Sequence, residues 1–489
     1  MLANSKLSFE GNCGAEIFPL ASSEFLSRPH RLEAGFYASE GYRAVQAMER
    51  SGFPMASIDD LADVKWYGVQ KRVFVKDPKY GIPYLDTSGM MEARPQPTLF
   101  LSKTQTKNLS FFIVQKGTIL MSMSGTVGNV CLVDDRMDGW AVTVDALRIA
   151  PKDIGLLGIV YCYLQSPLGQ FLTKRSQSGS VVTHIYEDDI KTLPIPHIPR
   201  NLKQELNRLV LEASRLRVQA NQLLDKATVE ASNLVSGERC LSKEDTGRMV
   251  FNFSLYRMQA IFREEGFNRM DSPYYEPDAL QIREGIKKIG HWDYLCNLTE
   301  DIVLIPKTFV PGVFKVEPDY GIPYFTGKEL FKSRLAALTF IISRKRRDMD
   351  RLIVSDGLAL VTCAGTVGKV MYVRKQFTGS AVTHDAIRVI PGEQLSAGYI
   401  YAFLDSPLGQ AQLRRCKYGS VIPRLHKRHI ERIVVPIPPD KGEGIGAIVD
   451  SAFDLFSLAS KAEENAINLF LDSVKSGRKE TEARWAKEY

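Results

Sequence analysis

The side chains best placed for chemistry in this sequence are cations. Ser343-Arg-Lys-Arg-Arg347 sets four of them in a row, with Arg351 close behind. Arg424-Leu-His-Lys-Arg-His429 forms a second group. Clustered guanidinium and ammonium groups suit phosphate oxygens, because they neutralise the charge and arginine adds paired hydrogen bonds. A solvated loop can carry such a run as well. Here the first run lies between two strand-like segments of one domain, which points to contact with a polyanion such as DNA.

Catalytic arrangements are missing. The sequence has no Walker A motif and no Gly-x-Gly-x-x-Gly after a strand. Asp77-Pro-Lys-Tyr80 is similar to the Asp-Pro-Pro-Tyr loop of amino-methyltransferases, but it returns as Glu317-Pro-Asp-Tyr320 and so follows a repeated scaffold. Pro277-Asp278 with Glu284 and Lys287 lacks the Glu-x-Lys spacing of a nuclease metal site. The 7 histidines show no metal-ligand spacing. His426 and His429 stand among Arg and Lys, where a metal ion would be repelled. Gly125-Thr-Val-Gly128 could cradle a phosphate through backbone N–H groups, or could be a tight turn. These residues describe a binding protein and not a catalyst.

The chain is written twice. Tyr80-Gly-Ile-Pro-Tyr84 returns letter for letter as Tyr320-Gly-Ile-Pro-Tyr324, an offset of 320 − 80 = 240. At the same offset Gly125-Thr-Val-Gly128 returns as Gly365-Thr-Val-Gly368, and Ser166-Pro-Leu-Gly-Gln170 as Ser406-Pro-Leu-Gly-Gln410. Ala141-Val-Thr-Val-Asp-Ala-Leu-Arg148 matches Ala381-Val-Thr-His-Asp-Ala-Ile-Arg388, and Gly179-Ser-Val181 matches Gly419-Ser-Val421. Arg31-Leu-Glu-Ala34 and Arg257-Met-Gln-Ala260 differ by only 257 − 31 = 226, so the second copy carries extra residues, expected near 268–281. A period this long means a duplicated domain and linker, not a solenoid.

Each copy ends in a proline-bracketed segment, Leu193-Pro-Ile-Pro196 and Val435-Pro-Ile-Pro438, followed by a helical pattern. In the first, Leu202, Leu206, Leu209, Ala213, Leu216, Ala220, Leu223 and Ala227 form a narrow apolar stripe of coiled-coil type. In the second, Ile445, Val449, Phe453, Phe456, Ala459, Ala466, Phe470 and Val474 do the same. Each helix could pack on its own domain, but identical placement after duplicated domains favours pairing with each other. The spans 201–235 and 444–474 would then set the distance between the two domains, roughly 50 Å at 1.5 Å per residue. Within the copies, Phe111-Phe-Ile-Val114, Thr118-Ile-Leu-Met121 and Val130-Cys-Leu-Val133 read as strands, and 156–164 as a helix.

Composition sets the class. A net charge of +7 permits a nucleic-acid partner without demanding one. The 7 cysteines (Cys13, Cys131, Cys162, Cys240, Cys296, Cys363 and Cys416) are odd in number and scattered, as for reduced thiols. No signal-peptide pattern and no membrane-length apolar run occur. The expected setting is cytoplasmic.

These repeated motifs resemble the specificity subunit of type I restriction-modification systems, over about 28–474. The features that carry the resemblance are the Arg-Leu-Glu-Ala opening, the Gly-Thr-Val-Gly turn, the Ser-Pro-Leu-Gly-Gln helix end and the Pro-Ile-Pro exit. The resemblance implies an α+β fold of two duplicated strand-rich α/β target-recognition domains, separated by long helices that pair as an antiparallel coiled coil. The expected division is 15–198 and 249–439 for the domains, with 199–236 and 440–475 for the helices. It further implies a bipartite site on double-stranded DNA, one half read by each domain. The helices would dock methyltransferase subunits, two in the family, and a translocating nuclease subunit could join them. S-adenosylmethionine and ATP would sit on those partners, with no cofactor or metal and no membrane contact here. The family's Glu-Gln pair after the exit is replaced by Lys203-Gln-Glu205 and Asp440-Lys-Gly-Glu443, which sets this docking surface apart.

The expected DNA contacts are Lys71, Arg72, Lys103, Lys107, His184 and Tyr186 in the first copy. In the second they are Arg344, Lys345, Arg346, Arg347, Arg424, His426, Lys427 and Arg428. Arg424, Lys427 and Arg428 are assigned to phosphates, His184 and Tyr186 to more selective contacts. The expected partner-docking helices are marked by Leu202, Leu206, Leu209, Leu216, Leu223, Phe453, Phe456 and Phe470. Two rivals remain open: a phage-defence scaffold or adaptor with this fold, favoured by the acidic Glu187-Asp-Asp189, and a stand-alone nuclease.

Overall fold

The computed structural model describes residues 40–124, 127–175, 184–236, 255–266, 269, 271–306, 313–333, 339–343 and 346–486. Copy one contains β1 (Met55–Ser57), β2 (Ala62–Lys65), β3 (Phe74–Val75), β4 (Gly81–Leu85), β5 (Leu99–Ser102), β6 (Ile119–Ser122), β7 (Val130–Leu132), β8 (Ala141–Val142), β9 (Ala146–Pro151) and β10 (Pro194–Pro196). Copy two contains β11 (Trp292–Tyr294), β12 (Thr299–Val303), β13 (Val313–Val316), β14 (Ile322–Phe325), β15 (Thr339–Ser343), β16 (Ala359–Thr362), β17 (Val370–Tyr372), β18 (Ala381–Val382), β19 (Ala386–Pro391) and β20 (Val434–Pro436).

The sheets of copy one run β2-β9-β6-β7, β3-β5-β4-β8 and β1-β10. Those of copy two run β12-β19-β16-β17, β13-β15-β14-β18 and β11-β20, the same order. Even the parallel pairs correspond, Tyr84 against Ala141 and Tyr324 against Ala381. Ile119 to Ser122 are buried on both faces, as an uninterrupted apolar run in a covered sheet requires. Leu85, Met90, Leu120, Cys131 and Val142 fill the space between the two larger sheets of copy one.

Several expectations are corrected. Phe111-Phe-Ile-Val114 is not a strand. A single 3-10 turn covers Leu109–Phe111, opened by a left-handed Asn108, and the chain then runs irregularly past Trp140 and Ala141. Phe112 and Val114 are buried and Phe111 and Ile113 half-buried all the same, so burial imitated the strand signal. Ser166 does not simply end a helix. It closes Leu157–Gln165 and at once begins a second helix, Pro167–Arg175, with proline at the first position, where its missing N–H costs nothing. The additional residues of copy two are split. β11 begins at 292 against 55 for β1, an offset of 237, and the offset reaches 240 only beyond β12 and β2. Most of the insertion therefore precedes β11; one further residue enters β12 as a bulge between Thr299 and Asp301, and the rest follow that strand. Cys131, Cys162, Cys363 and Cys416 are buried thiols, and burial pushes Cys363 and Cys416 up to about 11. Cys13, Cys240, Arg31-Leu-Glu-Ala34 and Gly179-Ser-Val181 lie outside the described residues.

The first long helix covers Arg200–Ser236 and the second Glu443–Ser476. They run antiparallel. Leu202, Leu206 and Val210 join Ala466, Ile467, Phe470 and Val474 in the core of copy one. Leu224, Ala227, Ala231 and Val235 join Ile445, Val449, Phe453 and Phe456 in the core of copy two. Ala213 and Leu216 meet Ala459 and Ala462 between them. Pairing with each other and packing on the domains are thus both realised. Leu209 and Leu223 are only half-buried, while Val210 and Leu224 take the seam. Buried positions on a straight helix follow the 3.6 period, which drifts from a strict heptad. A further helix, Arg478–Ala486, turns back on copy one, where Trp485 joins its core. Among the described residues no helix is long and apolar enough to cross a membrane.

Candidate nucleic-acid interface

The two most repeated motifs hold each other. Gln170 donates from Nε2 to the Gly128 carbonyl at 2.7 Å and the Leu164 carbonyl at 2.8 Å. Gln410 does the same to Gly368 and Leu404, both at 3.0 Å. Gly128 and Gly368 have φ of 86° and 89°, a left-handed conformation that glycine adopts freely. Their N–H groups donate to Ser122 and Thr362 of the same turn at 2.9 Å, so those groups cannot face a phosphate. In copy two the whole motif, Gly365 to Gly368, is a turn with Gly365 also left-handed at φ of 73°; in copy one Gly125 and Thr126 lie outside the described residues.

That turn supports a surface position common to both copies. His184 bridges Ser124, and Arg424 bridges Ala364, at the same 240-residue offset. Two residues on, Tyr186 and His426 precede short helices, Glu187–Lys191 and Lys427–Glu431. The third position ties each helix back to its domain. Glu187 accepts from the Trp66 amide at 2.9 Å, and Lys427 donates to the Ile302 carbonyl at 2.8 Å. One backbone therefore presents His184, Tyr186 and Asp188 in copy one but Arg424, His426 and Arg428 in copy two. Lys191, and then the Trp66 amide, hold the Glu187 carboxyl below its usual range.

In copy one the expected contacts fall on linked loops. Tyr186, exposed, meets Trp66 edge-on at 6.1 Å and stacks near His184 at 6.4 Å. From Trp66 the chain runs to Tyr67, stacked on Phe111 at 4.7 Å, then to Gln70, which accepts from Asn108 at 3.1 Å. Exposed Lys71 and Lys107 flank that bond. Arg72 donates to the Tyr84 hydroxyl at 2.9 Å, which raises its pKa and keeps it charged. Lys103 reaches the Lys79 carbonyl at 3.3 Å, and its N–H donates to the Tyr80 carbonyl. His184 and Tyr186 are thus linked through Trp66 and Tyr67 to the loops that carry Lys71, Arg72 and Lys107, while Lys103 bonds to the turn at Lys79.

In copy two the picture is divided. Arg424 and Arg428 are exposed. Lys427 is engaged with Ile302 and with Glu431 at 3.4 Å, so its expected role on phosphate gives way to a structural one. His426 accepts from the Arg428 amide through Nδ1 at 3.3 Å and caps the short helix. Arg344 and Lys345 lie outside the described residues; Arg346 and Arg347 begin the helix Arg346–Leu352, and their side chains also lie outside.

Sequence reasoning missed Tyr80 and Tyr320. They are 59% and 73% exposed at equivalent positions, each ending a 3-10 turn. An aromatic repeated letter for letter yet left in solvent is not there for the core. Lys79 lies 5.6 Å from the Tyr80 ring centre. The helix residues expected to dock partners face inward: Leu202, Leu206, Leu216, Phe453, Phe456 and Phe470 are all buried within this chain, so a partner would meet other faces of these helices. Lys287, on the helix Pro277–Lys288, pairs with Glu264 and Glu284, so the group weighed against a nuclease site is a set of surface ion pairs. Among the described residues no His, Cys, Asp or Glu side chains gather as a metal-ligand set.

Residues 51–208 match the family model described as the type I restriction modification DNA specificity domain. The resemblance carried by the repeated motifs therefore holds for the first copy, and the second has its strand order. No curated protein sequence matches the chain. Among solved structures, the type I restriction-modification S subunit from M. genitalium is 14% identical, with 87% of this chain and 95% of that one covered and a TM-score of 0.28. The HsdS subunit from Thermoanaerobacter tengcongensis is 15% identical, with 87% and 97% covered and a TM-score of 0.25.

Proposed function

We propose that this chain is the DNA-reading subunit of a type I restriction-modification complex and carries no catalytic site of its own. Each strand-rich domain reads one half of a bipartite duplex site. The long helices hold methyltransferase subunits, with room for a motor nuclease, and S-adenosylmethionine and ATP act on those partners. The single observation that carries this reading is the shared surface position: one backbone bridge displays His184 in copy one and Arg424 in copy two. A constant frame with exchanged surface chemistry is what two readers of different half-sites need. Arg424 and Arg428 grip phosphates, while Tyr186 and His184 face base edges or sugar.

The deciding experiment selects from a random duplex pool with the full chain, alone and with a methyltransferase subunit. Enrichment of two constant half-sites around a fixed gap supports the reading. Retention of the methyltransferase with no enriched sequence would instead favour an adaptor, for which the exposed Asp188 in copy one is the supporting feature. Metal-dependent cleavage by the pure chain would replace both.

A further inference from the structure

The two domains touch directly, across a local twofold axis. Glu92 pairs with Lys332 as an isolated antiparallel bridge. The Ser333 N–H donates to the Met91 carbonyl, and the Ala93 N–H donates to the Phe331 carbonyl, both at 2.8 Å. Residues 91, 92 and 93 thus meet 333, 332 and 331, which are their own counterparts at the 240-residue offset. The first long helix closes both sides of this bridge. Asn221 donates to the Ala93 carbonyl at 2.9 Å, and Arg217 donates to the Ser333 carbonyl at 3.2 Å.

Polar side chains then fasten the junction asymmetrically. Glu92 pairs with Lys369 of copy two. Arg94 leaves copy one and lies between Asp225 of the first long helix at 3.3 Å and Asp405 of copy two at 3.2 Å. Asp405 also interacts with Gln96 and Tyr401, and Asp225 with Arg136 at 2.5 Å. The Arg94 side chain is only 13% exposed, and that of Asp405 8%. A buried guanidinium shared by three parts of the fold resists displacement, because removing it leaves buried carboxylate charge without its partner.

We propose that this junction, with Arg94 as its positioning residue, sets the separation and orientation of the two reading surfaces, so that the chain accepts half-sites at one spacing. The paired helices span both domains, and the direct contact at Glu92 and Lys332 adds a second fixed point between them. The proposal rests on the two-half-site reading above.

Its test uses the full chain carrying Arg94→Gln, and separately Glu92→Lys with Lys369→Glu, which exchanges the charges and keeps the pair. Spin labels on encoded residues at exposed Lys107 and Lys315 report the distance between domains without DNA. Selection from random duplexes, with the methyltransferase subunit present, reports the spacing. In Arg94→Gln the distance distribution should broaden. The half-site bases should stay as in the wild type, while discrimination against spacings one base pair off should fall about tenfold. The exchanged pair should keep the wild-type distance and spacing, which a merely tolerated disruption would not do. An Arg94→Gln chain with the wild-type distance distribution and spacing overturns the proposal. Wild-type selection of no two-part site removes the reading of function and the spacing claim together, and the label distances still judge the junction.

Discussion

Arg217 of the first long helix and Glu463 of the second meet as an ion pair inside the helix interface, where Tyr161 also donates to the same carboxylate. Glu463 is 2% exposed. One carboxylate thereby joins both long helices to the Leu157–Gln165 helix of copy one, and it fixes which residues of the two apolar seams lie opposite each other. Replacing Arg217 by Met should cost roughly 3–5 kcal/mol, because a buried carboxylate is left without its partner. Adding Glu463→Leu should recover most of that loss. Urea unfolding of the two single variants and the double variant measures the coupling, and independent, additive losses would mean the pair does not set the register.

Gly169 is expected to be irreplaceable. A Cβ there would stand 2.1 Å from the Tyr163 carbonyl oxygen, and its counterpart Gly409 stands as close to Phe403. Gly139 meets nothing within 4 Å but has φ of 74°. Gly169→Ala should therefore destabilise the chain by several times the roughly 1–2 kcal/mol expected for Gly139→Ala from backbone strain alone. Thermal unfolding of both variants provides the comparison.

Tyr80→Ala and Tyr320→Ala should each leave stability within about 0.5 kcal/mol, since both rings are exposed. Each should weaken specific duplex binding several-fold, and each should blunt selection at only one half-site. Unaltered binding in both variants would leave these exposed rings without a part in recognition.

Arg424→Gln with Arg428→Gln should weaken binding to all duplexes alike. The slope of log affinity against log salt should flatten by roughly 0.9 for each phosphate no longer neutralised. Lys427→Gln should instead lower the stability of copy two, because Lys427 holds the Ile302 carbonyl. Titrations across a salt series, paired with unfolding curves, separate the two effects.

His429 should make stability depend on pH. Burial first, then the charges of Arg269, His426 and Arg415, push its pKa down to about 4, with Asp271 opposing. The unfolded chain takes up this proton near the ordinary value of about 6.5, and the folded chain refuses it until about 4. The associated stability is complete above the first value and is lost as pH falls towards the second. The size is on the order of 1–2 kcal/mol after allowing for partial solvent screening. His429→Gln should flatten the fall in unfolding midpoint over that window, and an unchanged fall would place the proton elsewhere.

The duplication, the two long helices and the Pro-Ile-Pro exits were legible in the sequence because their signals are local. Spacing of apolar residues and prolines placed the first long helix at 201–235, and it covers Arg200–Ser236. Repetition at one offset correctly implied equal frames, down to strand order. Phe111 to Val114 misled because a buried irregular segment and a buried strand share one composition, and only the hydrogen-bond partners, here Trp140 and Ala141, distinguish them. Tertiary structure alone decided that Lys427 would serve the fold while Arg424 stays in solvent. It alone brought Arg94 between Asp225 and Asp405. Those partners are separated by more than a hundred residues of chain, and no periodicity records a contact whose two sides are set by the packing of separate domains. The sequence determined two copies of one frame and two helices to pair; the meeting of the copies at Glu92 and Lys332 depended on how those helices close, which is a property of the assembled core.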